Sequence, residues 1–268
     1  MKKFPRQRIL AFFLCALAAN FAFAAAPDSD IPQRKRLSPE AIRIVSANIR
    51  FLVPEDDGTG NEWDRRKELA RDVLRAQDAD IICFQEFRKA HHDYLKTYFP
   101  DHGDVGFVDG DDGQMANMIF YSKKRFEKNA HHGAFLSPTP EVYLSTFPNA
   151  PRTARHFNRL HLRDRLTGRE LMIWNTHFSA GGKRQPARDA QAGVLADFLK
   201  KQPSTIPQIV TGDFNSSAKI QRLQINQIRR IHRHPRRAPR PRRSRLHLSQ
   251  IPRPCLRQNE RQDRLHFQ

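Results

Sequence analysis

Four short apolar runs in this chain each end on polar residues of one small set, and that recurrence restricts the fold more than any single stretch does. Ala41–Phe51 (AIRIVSANIRF) alternates apolar and polar residues and brings Asn48 near its carboxyl end. Ala79–Phe84 (ADIICF) is almost continuously apolar, the pattern of a strand covered on both faces, and it delivers Gln85 and Glu86. Arg169–Phe178 ends in Asn175, Thr176, His177 and Phe178. Pro207–Ala218 (PQIVTGDFNSSA) runs through Ile209 and Val210 into Thr211 and Gly212, and Asp213 and Asn215 follow. Carboxylate, amide and imidazole groups at the carboxyl ends of buried strands suit hard-cation and phosphate chemistry, because strand ends are rigid and open onto a crevice. Taken singly, each of these residues reads as well as a cap, a turn residue or a satisfied core group. Four coinciding at equivalent strand ends point to a site.

The intervening sequence sets the layers. Pro54–Gly60 is an acidic loop, and Asn61 stands where it would cap a helix whose Leu69, Val73 and Ala76 repeat at helical spacing. Asn117–Ser122 reads as a further strand, with Lys123–Phe126 turning away from it and Phe135–Pro140 as loop. Arg155–Arg163 and Arg169–Phe178 form two strands joined around Thr167 and Gly168. Pro186 opens a helix with Val194, Leu195, Phe198 and Leu199 on one face, and Pro203 closes it. Strands alternating with helices, with hairpins added, predict an α/β layered domain.

The amino terminus is of another kind. Lys2, Lys3, Arg6 and Arg8 precede the apolar run Ile9–Ala19, and Ala22-Phe23-Ala24 has the small-x-small form of a cleavage site. Residues 1–24 are therefore expected to be a secretory signal peptide, with 25–40 a linker and the product secreted or periplasmic. Of the cysteines, Cys83 lies within the apolar run IICF, where a free thiol behaves as a small hydrophobe. The formal charge of +19 is concentrated in one place: Lys219–Gln268 holds 15 basic side chains against Glu260 and Asp263, and so carries +13. What remains is ordinary, so basicity argues for nucleic acid only through that tail.

Six stretches, SANIRF, ADIICFQE, MANMIFYSKKRF, IWNTHFS, RDAQAGVLADFL and IVTGDFNSSA, occur in the order found in the endonuclease/exonuclease/phosphatase superfamily, and Ala41–Ala218 resembles it throughout. The resemblance implies a four-layer α/β sandwich, two packed β-sheets flanked by helices. It also implies Mg²⁺-dependent cleavage of phosphodiester bonds, with Mn²⁺ as a substitute, in a nucleic acid or a phospholipid head group. By position, Glu86 resembles the main metal ligand and Asn48 its neighbour. His177 resembles the histidine that binds the scissile phosphate, and Asp213 with Asn215 the pair that orients the attacking water. Asn175 is expected to contact substrate. Arg152, following Pro151, is a candidate phosphate contact, with a solvated loop arginine as the plain alternative. A monomer without an obligate protein partner is expected.

After Ala218 the pattern stops, and the domain is expected to be incomplete at its carboxyl end. Lys219–Gln268 is rich in Arg, Pro, Gln and His without a periodicity that would bury a core. A frameshift accounts for it: codons exist for Arg261–Gln268 that, read one nucleotide later, spell Gly-Arg-Ile-Asp-Tyr-Ile-Phe. Two functions of different class stay open, a metal-dependent phosphoesterase and a non-catalytic product, either a truncated relative or a basic protein binding through its Arg-rich tail.

Overall fold

The computed structural model describes residues 35–106, 116–148 and 153–216. The signal-peptide and tail segments, most of the linker and Arg152 lie outside these residues. Their first strand, β1 (Ile44–Asn48), leads through the 3-10 turn Pro54–Asp56 into α1 (Trp63–Ala76) and back to β2 (Ile81–Gln85). The chain continues through α2 (Lys89–Tyr98), β3 (His102–Val105) and β4 (Ile119–Ser122). The second half comprises β5 (Phe126–Phe135), β6 (His156–Asp164), β7 (Glu170–His177), α3 (Gln185–Lys200) and β8 (Gln208–Asp213).

Among the described residues two four-stranded sheets result, ordered β1-β2-β4-β3 and β5-β6-β7-β8. Each contains one parallel pair, β1 with β2 and β7 with β8, and every other pairing is antiparallel. Both parallel pairs are β-α-β units, with α1 or α3 as the crossover. Side-chain alternation then assigns the faces. Ile81 and Cys83 of β2 and Leu171 and Ile173 of β7 meet Ile119, Leu160 and Leu162 in the core between the sheets. Ile82 and Phe84 turn the other way, onto Leu74 of α1 and Leu95 of α2. Met172 and Trp174 likewise pack on Leu195 and Leu199 of α3. The order helix, sheet, sheet, helix is the expected four-layer α/β sandwich. A large side chain such as Phe84, fully withdrawn from water, contributes about 2–3 kcal/mol of burial free energy.

Some expectations need correction. Leu69 and Val73 are 62% and 41% exposed, because Trp63 sets the phase of α1 and places Ala70 and Leu74 on the inner face. No side chain caps that helix, which begins after Glu62 rather than Asn61. The turn expected at Lys123–Phe126 is present at Lys123–Arg125, but the strand β5 that follows it had not been expected and reaches to Phe135, where a loop was expected to begin. As an edge strand interrupted by a bulge between Lys128 and Ala130, it needs few apolar residues in its middle. The polar helix α2 (KAHHDYLKTY) lacks a sequence signal for the same reason, since among its residues only His91 and Leu95 are buried. Among the described residues no helix is long and apolar enough to cross a membrane.

Candidate active site

The carboxyl ends of the two parallel pairs supply the polar cluster. On the β7/β8 side His177 and Asp213 are register partners on adjacent parallel strands, so backbone pairing alone sets them side by side. That closeness depends on Gly212, whose backbone has φ of 149°; a Cβ there would stand 2.2 Å from the carbonyl oxygen of Thr176. Asp213 Oδ1 accepts from the backbone N–H of Asn215 at 2.9 Å, and Asn215 Nδ2 donates to the Phe178 carbonyl at 3.0 Å. The Asp213 carboxylate is thereby oriented with Oδ2 toward His177 Nε2, 3.8 Å away.

On the β1/β2 side the geometry comes from side chains. Asn48 Nδ2 donates to Glu86 Oε1 and to Asp213 Oδ2, both at 3.0 Å, and so ties the two halves together. Its Oδ1 accepts from the Arg50 backbone N–H at 3.0 Å. Asn48 therefore presents its amide nitrogen to the carboxylates, not the oxygen that a metal ligand would offer; a half-turn of the amide exchanges the two. The other oxygen of Glu86 accepts from the Phe51 N–H at 2.9 Å. Three of the five non-glycine residues with left-handed backbone among those described, Arg50, Glu86 and Asn215, lie here. Such conformations cost about 1–3 kcal/mol each and collect at functional sites.

Ligand atoms of Glu86, His177 and Asp213 all lie within 4.8 Å of one another. Two carboxylates at that spacing, with an imidazole beside them, fit a divalent cation, and one observation supports the fit. Among the described residues the like-charged carboxylates of Glu86 and Asp213 share one hydrogen-bond donor, the neutral Asn48 amide, an arrangement that a cation would relieve. His177 Nδ1 is buried with no hydrogen-bond partner among the described residues. Burial, reinforced by the charge of Arg155, holds the His177 pKa down at about 4 against the opposing pull of Asp213 and Glu86, so the ring is neutral at ordinary pH.

The sequence-predicted residues Asn48, Glu86, His177, Asp213 and Asn215 are thus brought together. Asn175 is not among them. It is 0% exposed and faces the interior between the sheets, as its parity with Ile173 requires. Asn175 Nδ2 donates to the Phe84 and Met118 carbonyls at 2.7 and 3.2 Å, while its Oδ1 accepts from Gln85 Nε2 at 2.7 Å. It therefore bolts the two sheets together beneath the site, and the expected contact with substrate is replaced by that role.

Arg155 was not singled out from sequence. Its Nε is buried with no hydrogen-bond partner among the described residues, and its charge acts on Glu86, Asp213 and His177. Burial pulls its pKa down while the two carboxylates oppose. The only sequence signal was a basic residue at the entry to the strand that pairs with β7, three positions from the Arg152 considered above.

The comparisons agree with this architecture. YbhP, an uncharacterized protein of Escherichia coli K12, is 28% identical over 177 residues, 64% of this chain and 62% of its own length. The chain thus spans 62% of the length of that curated relative. A mannosyl-6-phosphatase of Bacteroides thetaiotaomicron superposes with a TM-score of 0.60 at 27% identity, covering 67% of each chain. An endonuclease/exonuclease/phosphatase from Bacteroides vulgatus gives 0.62 at 25% identity, covering 69% of this chain and 70% of its own. The model of the Endonuclease/Exonuclease/phosphatase family matches residues 45–258, a span that holds every residue of the cluster and runs on past Ala218. With its two β-α-β units, its sandwich and its strand-end cluster all accounted for, the chain belongs to the endonuclease/exonuclease/phosphatase family.

Proposed function

We propose that the protein is a divalent-metal-dependent phosphoesterase, exported by its amino-terminal signal and acting on phosphodiester bonds with Mg²⁺ or Mn²⁺. The observation that carries this reading is the convergence of Glu86, His177 and Asp213 to within 4.8 Å from three separate strand ends. Glu86 and Asp213 would hold the cation, which when bound supplies charge stabilisation at the phosphoryl oxygens. Asp213, fixed by Asn215, is the group placed to orient an attacking water and to take its proton. His177, neutral at rest, donates from Nε2 toward a phosphoryl oxygen, and Arg155 brings a positive charge whose Nε has no hydrogen-bond partner among the described residues. Nucleic acid and phospholipid head groups share this phosphodiester chemistry. The Bacteroides relative named for a sugar phosphate favours a second reading, a phosphomonoester substrate.

The test is hydrolysis of bis-p-nitrophenyl phosphate and of p-nitrophenyl phosphate by the purified chain with Mg²⁺, Mn²⁺ or EDTA. Metal-dependent cleavage of the diester is expected, lost in Glu86→Gln through metal dependence and slowed about 10²–10³-fold in His177→Ala. Cleavage of the monoester alone would move the assignment to the second reading. No cleavage of either ester with either metal would overturn the proposal.

A further inference from the structure

The segment after β1 has no regular structure, yet its Phe51 N–H fixes one oxygen of Glu86. Something must hold that amide in place. The segment is tied to β2 by the Ile49 N–H, which donates to the Gln85 carbonyl at 3.1 Å, and it then turns through Arg50 with φ of 61°. The carbonyls of this turn are taken by a single side chain from the first turn of α1. Arg66 donates from Nη1 to the Ile49 carbonyl, from Nη2 to the Arg50 carbonyl at 2.8 Å, and from Nε to the Asn61 carbonyl at 2.9 Å. Its guanidinium also lies 5.3 Å from the centroid of the buried Trp63 ring. On its other flank the turn is pinned by Arg50, whose Nε and Nη2 reach the two oxygens of the buried Asp56 at 2.7 and 2.6 Å.

We infer that Arg66 is a positioning residue for the cation site: it holds the turn at residues 49–51 so that the Phe51 amide orients Glu86, without itself touching metal or substrate. A planar fork with donors on three nitrogens suits this task, and an ammonium, whose three donors sit on one atom, cannot reproduce that spread. Position and charge act in opposite directions, which makes the role testable. Removing a positive charge near Glu86 favours a cation, whereas loosening the turn disfavours it. Removal of groups that orient metal ligands typically weakens metal affinity by about 10–100-fold.

The inference rests on the metal reading above, and a titration of Mn²⁺ into the full chain, followed calorimetrically, separates the two. Wild type that binds no Mn²⁺ would overturn that reading and this inference with it. If wild type binds, Arg66→Gln and Arg66→Lys should each lose about tenfold or more in affinity. Arg65→Ala, an exposed neighbour on the same turn of α1, should lose nothing. In metal-free Arg66→Gln, hydrogen exchange at the Phe51 amide should quicken relative to wild type, a readout that needs no activity. Unchanged or tighter Mn²⁺ binding by Arg66→Gln would overturn the inference while leaving the metal reading standing. Should Arg66→Gln fail to fold, Asp56→Asn, which loosens the Arg50 flank of the same turn, must show faster Phe51 exchange and weaker Mn²⁺ binding, or the inference fails.

Discussion

The two halves of the site reach similar ends by different means. At β7/β8 the positions of His177 and Asp213 follow from backbone register, with Gly212 allowing close approach to Thr176. At β1/β2 the backbone register pairs Asn48 with Gln85, and Glu86 comes after the strand in a left-handed turn. Its orientation is left to Asn48, the Phe51 amide and the turn held by Arg66. A site half built on register tolerates no change in strand spacing but needs few side chains. A half built on side-chain hydrogen bonds is adjustable, and each bond in it is separately removable.

The largest expected effect therefore lies on the register side. Gly212→Ala must push β8 away from β7 and should cost roughly 4 kcal/mol or more, within the range reserved for backbone overlap and strain. Gly168→Ala is the control: its φ is 69° but nothing lies within 4 Å of the added carbon, so only about 1–2 kcal/mol of left-handed strain applies. Urea denaturation of the two variants decides the point, and equal losses would break the comparison.

A middle-sized effect is expected where the halves are joined. Asn175→Ala removes the donor to the Phe84 and Met118 carbonyls and the acceptor for Gln85; the Met118 carbonyl keeps the Phe84 N–H and Gln85 Nε2 keeps Ser46 and Cys83, so the cost is roughly 1–3 kcal/mol. Because Asn175 faces the core, its loss should lower the urea midpoint while leaving KM for a phosphodiester unchanged. A raised KM with unaltered stability would return Asn175 to the substrate.

The effect that is smallest near neutral pH, and that grows on acidification, belongs to α2, which backs the β1/β2 half. Buried His91 accepts the Arg88 N–H on Nδ1 at 2.9 Å, and burial, aided by the nearby charges of Arg66 and Arg88, pushes its pKa down to about 3. The unfolded chain takes up this proton near pH 6.5, the folded chain only near 3, so this contribution to stability is complete above pH 6.5 and falls as the medium is acidified. The slope is at most about 1.4 kcal/mol per pH unit. Stability measured from pH 7 to 4 should fall less steeply in His91→Asn, whose amide oxygen keeps the acceptor but does not titrate. Identical slopes would show that His91 is not the group responsible.

Legibility followed burial. The strands β2, β7 and β8 and the helix α3 were readable because continuous or periodic apolar runs reflect a packed face. The helix α2 and the strand β5 were not, since one offers the core only two residues and the other lies on a sheet edge. Leu69 and Val73 misled because helical spacing identifies a stripe without saying which stripe faces inward; Trp63 decides that by packing against His91.

For the site, the types and strand-end positions of Asn48, Glu86, His177, Asp213 and Asn215 were determined by the sequence alone, because polar groups closing apolar runs are a local pattern. Their convergence was decided only in three dimensions. Parity turned Asn175 inward although it stands two residues from His177 on the same strand face, because the sheets close over it while the strand end opens. Arg155 and Arg66 were invisible for the opposite reason: an arginine looks alike in sequence whether it is solvated, adds its charge to a pair of carboxylates or holds a turn, and only the fold decides which.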